Sequence, residues 1–250
     1  MFKRALAGII AAVTLLGGGT VARAVVTIDW GVNFFDEIYT SDGNPADDAI
    51  HWELGAFRDN FVPDGDNVEL WKDYWIVFDI APFEEDPYNS GYYIFQREVQ
   101  MPNDGSSVAY PDEEWNFKGL TAYVWGFNDK TYQMGLEWLL YRGEDWVFPD
   151  FPTDEPPDLD LEWDVAHMTT DDVPVWGAVG NPIDEDPWYS TQVGLGWASG
   201  PIYTPGDPEV SLLQLYTIPE PGTYAVGALM MGAAAFQGWR RRRSRNKAFA

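Results

Sequence analysis

The run LTAYVWGFNDKTYQMGLEWLLY, residues 120–141, is the clearest guide to the fold of this 250-residue chain. Its two halves, 120–127 and 132–141, are rich in aromatic and aliphatic residues, and four polar residues separate them. Strand-like runs joined across a short connection with turn chemistry are typical of a β-hairpin. We therefore predict two paired strands with a turn at 128–131.

The rest of the central region has the same character, because further short β-prone runs follow one another between Gly and Pro residues. These runs occupy 25–30, 92–100, 173–179, 192–198 and 210–217. Many short strands with Gly- and Pro-rich turns indicate a mainly β protein. The specific prediction is a β-sandwich, for which a jelly-roll strand order is one open arrangement.

Two segments depart from this strand pattern. Residues 66–74 predict one short helix, because Asp66 and Glu69 have the spacing of a capping box. Residues 150–164 are dense in Asp, Glu and Pro, and we interpret them as a long acidic loop within the domain.

The N-terminus has the parts of a secretory signal peptide. A basic start and an apolar stretch over 5–16 are followed by small residues that include Ala22 and Ala24. The pattern predicts removal by signal peptidase after Ala24. The alternative is an uncleaved anchor helix, but the apolar stretch is shorter than the roughly 20 residues that a membrane span needs.

The C-terminus has the parts of a second targeting signal. Pro219, Glu220 and Pro221 precede an apolar stretch over 224–239, which is followed at once by Arg240, Arg241, Arg242 and Arg243. A basic cluster beside an apolar helix stays on the cytoplasmic side, so the bulk of the chain is expected across the membrane. An ordinary tail anchor after a proline-rich linker is the alternative to a sorting signal.

This order of elements resembles the PEP-CTERM sorting signal of Gram-negative bacteria. The resemblance implies that Pro219, Glu220 and Pro221 are recognised by an exosortase, a membrane-embedded processing enzyme. It also implies a transient inner-membrane anchor, followed by release to the cell envelope or the extracellular space. The chain then divides into a signal peptide (1–24), a β-sandwich domain (25–217) and a sorting signal (218–250).

The charge is distributed very unevenly. Residues 25–221 hold all 40 Asp and Glu, and their only cations are Arg58, Lys72, Arg97, Lys118, Lys130 and Arg142, which makes their formal charge 6 − 40 = −34. Such a surface opposes nucleic acid binding, which depends on releasing counterions from phosphates. The chain has no Cys, which excludes disulfides and thiolate sites. Solubility, a saline habitat and a demand for cations such as calcium are all compatible with the acidity.

Two acidic segments share one residue pattern. Both have the order proline, apolar residue, three acids, proline and aromatic residue, and their acids are Glu84, Glu85, Asp86, Asp184, Glu185 and Asp186. Equivalent loops at one end of a sandwich would supply carboxylate oxygens to calcium. The alternative is coincidence in a chain rich in Asp, Glu and Pro.

The sequence does not favour catalysis. His51 and His167 are the only histidines, and no Gly-x-Ser-x-Gly nucleophile elbow is present. A carboxylate pair of the kind that glycosidases use remains open, because sequence spacing does not determine distance in space. We therefore predict a protein that is not an enzyme, with a glycosidase-like activity as the least favoured alternative.

A binding role has more support from composition. The chain has 13 Trp and 13 Tyr, and exposed aromatic rings stack well on sugars. The rings in acidic, loop-like settings, predicted to contact a ligand, are Trp115, Trp146, Trp163 and Trp188. We predict an exported surface or matrix protein with a structural or binding role. The main alternative is a module that binds exopolysaccharide.

Overall fold

The structure, a computed structural model, describes residues 25–32, 36–86, 91–165, 174–183, 186–196 and 212–218. This part of the chain is mainly β, as predicted. Its strands are β1 (Val26–Gly31), β2 (Glu37–Tyr39), β3 (His51–Phe57), β4 (Trp75–Ala81), β5 (Glu84–Glu85), β6 (Tyr93–Ile94), β7 (Gln96–Met101), β8 (Tyr123–Phe127), β9 (Glu137–Tyr141), β10 (Leu159–Asp164), β11 (Ala178–Ile183), β12 (Asp186–Val193), β13 (Leu212–Gln214) and β14 (Tyr216–Thr217).

The predicted hairpin is confirmed as strands β8 and β9. They pair antiparallel from Val124 opposite Tyr141 to Phe127 opposite Trp138. The connection covers 128–136 and is therefore longer than the predicted turn. At its base, the backbone N–H of Asn128 donates to the carbonyl of Glu137. The hairpin lies within a five-stranded antiparallel sheet of order β14-β9-β8-β3-β4.

This central sheet is buried on both faces. On one face, Val124, Leu139 and Leu54 belong to the larger apolar core, together with residues of β1, β7 and β10. On the other face, Trp125 and Trp138 belong to a second core of mostly aromatic residues. Burial on both sides explains why the hairpin strands are nearly continuous apolar runs without polar alternation.

Two further sheets pack on the larger core. One has the order β10-β1-β7, in which β1 pairs parallel to β10 and antiparallel to β7. The other has the order β12-β11-β13-β2, in which β13 and β2 are parallel. Strands β5 and β6 form a small separate ladder. The parallel pairs join segments that are far apart in the chain.

The predicted acidic loop over 150–164 is wrong at its C-terminal end. Residues 159–164 form strand β10 beside β1. Leu161 is partly buried and Trp163 is buried, whereas the residues that precede them, Asp160 and Glu162, are exposed. This alternation with a period of two is the strand signal that the density of acids obscured.

The predicted short helix is present, but its start differs. A 3₁₀ turn at Val68–Leu70 leads into the single-turn helix α1 (Trp71–Tyr74). The N-cap residue is Asn67 rather than Asp66, and its side chain accepts a hydrogen bond from the indole N–H of Trp71 at 2.8 Å. The helix therefore serves to seat Trp71, which is fully buried in the second core.

The other predicted strands are shorter in the structure or are divided into two strands. Residues 25–30 correspond to β1, 92–100 divide into β6 and β7, and 210–217 contain β13 and β14. Of the described residues of 192–198 and 173–179, 192–196 contribute the end of β12 and 174–179 the start of β11. Strands β2, β4 and β5 were not predicted.

The predictions for the two chain ends concern residues outside those that the structure describes. They concern Ala22 and Ala24, the triplet that begins at Pro219, and the arginine cluster from Arg240. Within the described ranges, no helix is long and apolar enough to cross a membrane.

Candidate functional site

One buried carboxylate lies on each side of the central sheet, and a cation holds each one. Glu53 on β3 is 6% exposed, and its Oε2 accepts the indole N–H of Trp75 at 2.7 Å. The Nζ atom of Lys130 lies 2.5 Å from the same oxygen, and it also lies over the Phe127 ring. Lys130 therefore neutralises a carboxylate charge that would otherwise be buried without a cationic partner beside the second core.

Asp79 on β4 has the equivalent surroundings next to the larger core. It is 2% exposed, and its Oδ2 accepts the indole N–H of Trp30 at 3.0 Å. The Nε atom of Arg97 lies 3.4 Å from that oxygen. Two of the six cations in the region 25–221 are thus used to stabilise the interior.

Lys118 and Arg58 are also engaged by the fold. Lys118 donates hydrogen bonds to the carbonyls of Asn103 and Phe151 at 2.6 and 2.7 Å. Arg58 donates to the carbonyl of Asp73 at 2.7 Å. Among the described residues, Lys72 and Arg142 are the two of these six cations that hold neither a loop carbonyl nor a buried acid.

Five carboxylates share the outward side of the three-stranded sheet, and we call this surface the acidic face: Asp29, Glu98, Asp160, Glu162 and Asp164. Asp29 on the middle strand pairs in register with Glu98 on one side and with Glu162 on the other. An open cavity of about 450 Å³ is lined by these three residues together with Thr27, Asp160 and Leu161.

Full ionisation of all the carboxylates on the acidic face is electrostatically unfavourable. Burial raises the pKa of the Asp29 carboxyl, and repulsion from Glu98 and Glu162 raises it further. Like charges directly opposite each other across strands are destabilising. The carboxylates of the acidic face can share protons or attract cations. Among the residues that the structure describes, however, no group of three or more acids and histidines is placed to hold a metal ion.

A second surface lies at one end of the central sheet, and we call it the Arg142 groove. It has a volume of about 540 Å³. The end of β3, the start of β8 and the end of β9 meet there, because these antiparallel neighbours alternate in direction. The described lining consists of Phe57, Asn60, Phe61, Val62, Pro63, Gly119, Leu120, Thr121, Tyr123, Arg142 and Val175.

A tight turn after β3 forms one wall of the groove. Asp59 and Asn60 both have left-handed backbone, with φ of 59° and 57°. The N–H of Phe61 bonds the carbonyl of Arg58 at 3.1 Å and closes the turn. Asp and Asn tolerate this conformation better than other non-glycine residues, as in type I′ turns. The turn holds the Asn60 amide and the Phe61 ring at the groove.

Arg142 supplies the positive charge of the groove. Its guanidinium carbon lies 6.0 Å from the centroid of the Tyr123 ring, and the Arg142 side chain is exposed. Burial raises the pKa of the Tyr123 hydroxyl, and the nearby guanidinium partly offsets that rise. Within the described residues, the ion pairs involve Arg58, Arg97 and Lys130, and Arg142 is in none of them.

The structure describes only part of the two acidic segments. Glu84 and Glu85 are exposed on β5, and the Oε1 of Glu85 accepts the N–H of Gly91 at 2.9 Å. Asp86 is buried. Asp184 and Glu185 lie outside the described residues, as does the side chain of Asp186. The calcium site remains a prediction.

The predicted ligand-stacking role is wrong for Trp146 and Trp163. Both side chains are buried in the larger core, where their rings stack at 5.8 Å with an interplanar angle of 22°. Nine of the ten Trp side chains that the structure describes are buried, so the aromatic surplus builds the two cores instead of an exposed surface.

The remaining predicted residues have mixed positions. Trp115 is partly buried, donates its indole N–H to Glu113 at 2.5 Å, and lies under the Arg58 guanidinium. The Trp188 side chain is outside the described residues. His51 is exposed at the start of β3 beside Phe127. Asp29 and Asn60 were not among the predicted site residues.

The missed surfaces had partial signals in the sequence. Asp160, Glu162 and Asp164 alternate with Leu161 and Trp163, which is typical of a strand with one acidic face. Arg142 was visible as one of only six cations in 25–221.

Comparisons with protein-family models, with curated proteins and with solved structures find no match for this chain.

Proposed function

We propose that this chain is an exported protein of the cell envelope or extracellular matrix, processed by an exosortase, with a non-catalytic structural or binding role. The signal-peptide pattern over 1–24 supports export. The order of Pro219, Glu220 and Pro221, an apolar stretch and an arginine cluster supports sorting through a transient inner-membrane anchor. It is this C-terminal order that carries the proposal.

The domain between these signals is proposed to be a β-sandwich, with a jelly-roll order as one form of it. Two observations support a layered arrangement. The larger apolar core contains residues of the central sheet and of the three-stranded sheet, including Leu54, Val124 and Trp30. Strands β1, β7 and β10 also alternate buried and exposed residues, as the outer layer of a sandwich does.

Replacing Glu220 tests the sorting proposal directly. The Glu220→Ala chain should be exported normally but should stay in the membrane at full length, because the triplet is the proposed recognition element. The matched control is Glu209→Ala, which removes the same charge outside the triplet. Immunoblots of membrane and extracellular fractions report the result, and normal release of the E220A chain would overturn exosortase processing.

A second candidate function is binding of exopolysaccharide, and the Arg142 groove favours it. Its volume of about 540 Å³ is in the range of small-ligand sites. The lining combines the rings of Phe61 and Tyr123 with the polar groups of Asn60, Thr121 and Arg142. Apolar faces with a few fixed donors and acceptors suit sugar rings and their hydroxyls.

A further inference from the structure

The Arg142 groove has the opposite charge character from the rest of the domain. About one residue in five in 25–221 is Asp or Glu, since 40 acids lie in that segment. The described lining of the groove nevertheless contains one Arg and no acid. The acids close in sequence to lining residues, Asp59, Asp64 and Glu144, are not among the described lining residues. The charge of this described lining therefore complements an anionic group.

Arg142 is also the one cation in the described lining, where its guanidinium contacts only the Tyr123 side chain among the described residues and is in no ion pair with them. Lys130 and Arg97 are held by buried carboxylates, and Lys118 is held by two carbonyls. Lys72 is exposed on α1 and is not among the described lining residues. A guanidinium presents paired N–H donors that match the two oxygens of a carboxylate, whereas a neutral hydroxyl uses only one of them.

The remaining polar groups of the lining suit hydroxyls. Asn60 supplies an amide donor and acceptor, and Thr121 and Tyr123 supply hydroxyls. The Phe61 ring, which stacks on Tyr74 at 4.4 Å, adds an apolar surface to the lining. A pyranose ring with one carboxylate satisfies both sets of groups at once.

We propose that the Arg142 groove binds a uronate residue within a short saccharide, with the sugar carboxylate on the Arg142 guanidinium. This inference rests on the proposed saccharide-binding function and gives it a substrate class. The formal charge of −34 disfavours densely charged polyuronates. Screening acts over about 8 Å at physiological ionic strength, so a carboxylate flanked by neutral sugars is the better match.

Calorimetry with two disaccharides that differ only in the carboxylate tests the proposal. The probes are cellobiouronic acid and cellobiose, and acetate alone serves as a control for simple anion binding. The protein should bind cellobiouronic acid about 10-fold to 100-fold more tightly than cellobiose, which is the range expected for a charge-assisted, two-donor contact. Acetate should not bind measurably at the same concentrations.

Variants identify the residue responsible. Arg142→Gln should remove the preference for the acid and leave the weak affinity for cellobiose. Arg142→Lys should retain only part of the preference, because an ammonium does not present the paired donors. Lys72→Gln makes the same charge change outside the groove and should behave like the unaltered protein. Circular dichroism and thermal unfolding establish that each variant is folded.

The outcomes separate this inference from the functions on which it depends. Equal binding of the two disaccharides would overturn the uronate assignment and leave saccharide binding intact. Binding of neither one would overturn both. Loss of preference in K72Q as well as in R142Q would show an effect of net charge and would overturn the assignment to the groove. Exosortase processing is judged separately, by the E220A chain.

Discussion

The Nζ atom of Lys130 lies 2.5 Å from Oε2 of Glu53, a carboxylate that is 6% exposed on the central sheet. Lys130 belongs to the connection between β8 and β9, whereas Glu53 lies in the middle of the domain's central sheet on β3. One of the few cations in a highly acidic domain is thus placed over one of its most buried acids. The hairpin connection is held to the sheet by this ion pair.

Lys130→Met should destabilise the domain by about 1–3 kcal/mol, because it leaves the Glu53 charge buried with only the Trp75 indole as a donor. The partial exposure of the lysine side chain limits the loss. Urea unfolding measures the effect, and Lys72→Met is the control with the same charge change on the exposed surface. The double change Glu53→Gln with Lys130→Met should recover part of the loss. Equal stability of K130M and K72M would contradict this role.

Asp29→Asn should stabilise the domain at pH 7 and have little effect at about pH 3. The folded-state pKa of Asp29 is raised above its ordinary value by burial and by Glu98. Ionisation therefore penalises the folded state above that raised pKa, and the penalty declines as the pH falls below it and is gone below the ordinary value of 3.8. Urea unfolding at both pH values tests this, with Asp112→Asn as an exposed control. A gain that is equal for D29N and D112N would indicate only a reduction in net charge.

Gly126→Ala should cost about 1–3 kcal/mol of stability, as overpacked cores generally do. Gly126 pairs directly with Trp52, and a Cβ atom there would lie 2.4 Å from Cζ3 of that ring. The ring has no room to move away, because it stacks on Phe95 at 3.9 Å. Gly65→Ala is the control, since its Cβ meets only the exposed side chain of Leu195. Thermal unfolding compares the two variants, and similar melting temperatures would contradict the packing argument.

A four-residue Gly/Ser insertion between Ile218 and Pro219 should speed processing several-fold if an exosortase acts at the triplet. Ile218 is buried, its N–H bonds the carbonyl of Leu136 at 3.0 Å, and its carbonyl accepts the N–H of Gly135 at 3.2 Å. The triplet therefore begins one residue after a chain segment that the domain holds. A processing enzyme needs a locally open chain, so a linker removes the cost of opening.

Pulse-chase labelling measures the processing rate of the insertion variant. The same insertion after Glu155, in an exposed loop, is the control for a general effect of lengthening the chain. An unchanged rate in the first variant would show that the held segment does not limit access.

Local patterns predicted the mainly β character well, and the hairpin most clearly. Its two strands combine β-prone residues with turn chemistry, and both features act over a few residues. The same reasoning failed for 159–164, where the acids are as numerous as the apolar residues. It also failed for Trp146 and Trp163, because acidic neighbours in the sequence do not determine whether an indole packs into a core.

The sequence indicated only some of the residues of the two candidate surfaces. The acidic face requires Asp29, Glu98 and Glu162 to be cross-strand neighbours, which depends on one parallel and one antiparallel pairing. The Arg142 groove requires the end of β3 and the end of β9 to lie on either side of the start of β8. Strand order between distant segments follows from the packing of the whole chain, and no short pattern encodes it.

The sequence by itself determined the strand-forming tendency, the acidity of 25–221 and the patterns at the two ends, because each depends on composition or on neighbouring residues. Only the tertiary structure decided that Glu53 and Asp79 are buried with Lys130 and Arg97, and that Arg142 is left facing a cavity. These outcomes depend on which side chains meet across strands. Burial then gives a carboxylate a strong need for a partner, and long-range pairing alone determines which cation supplies it.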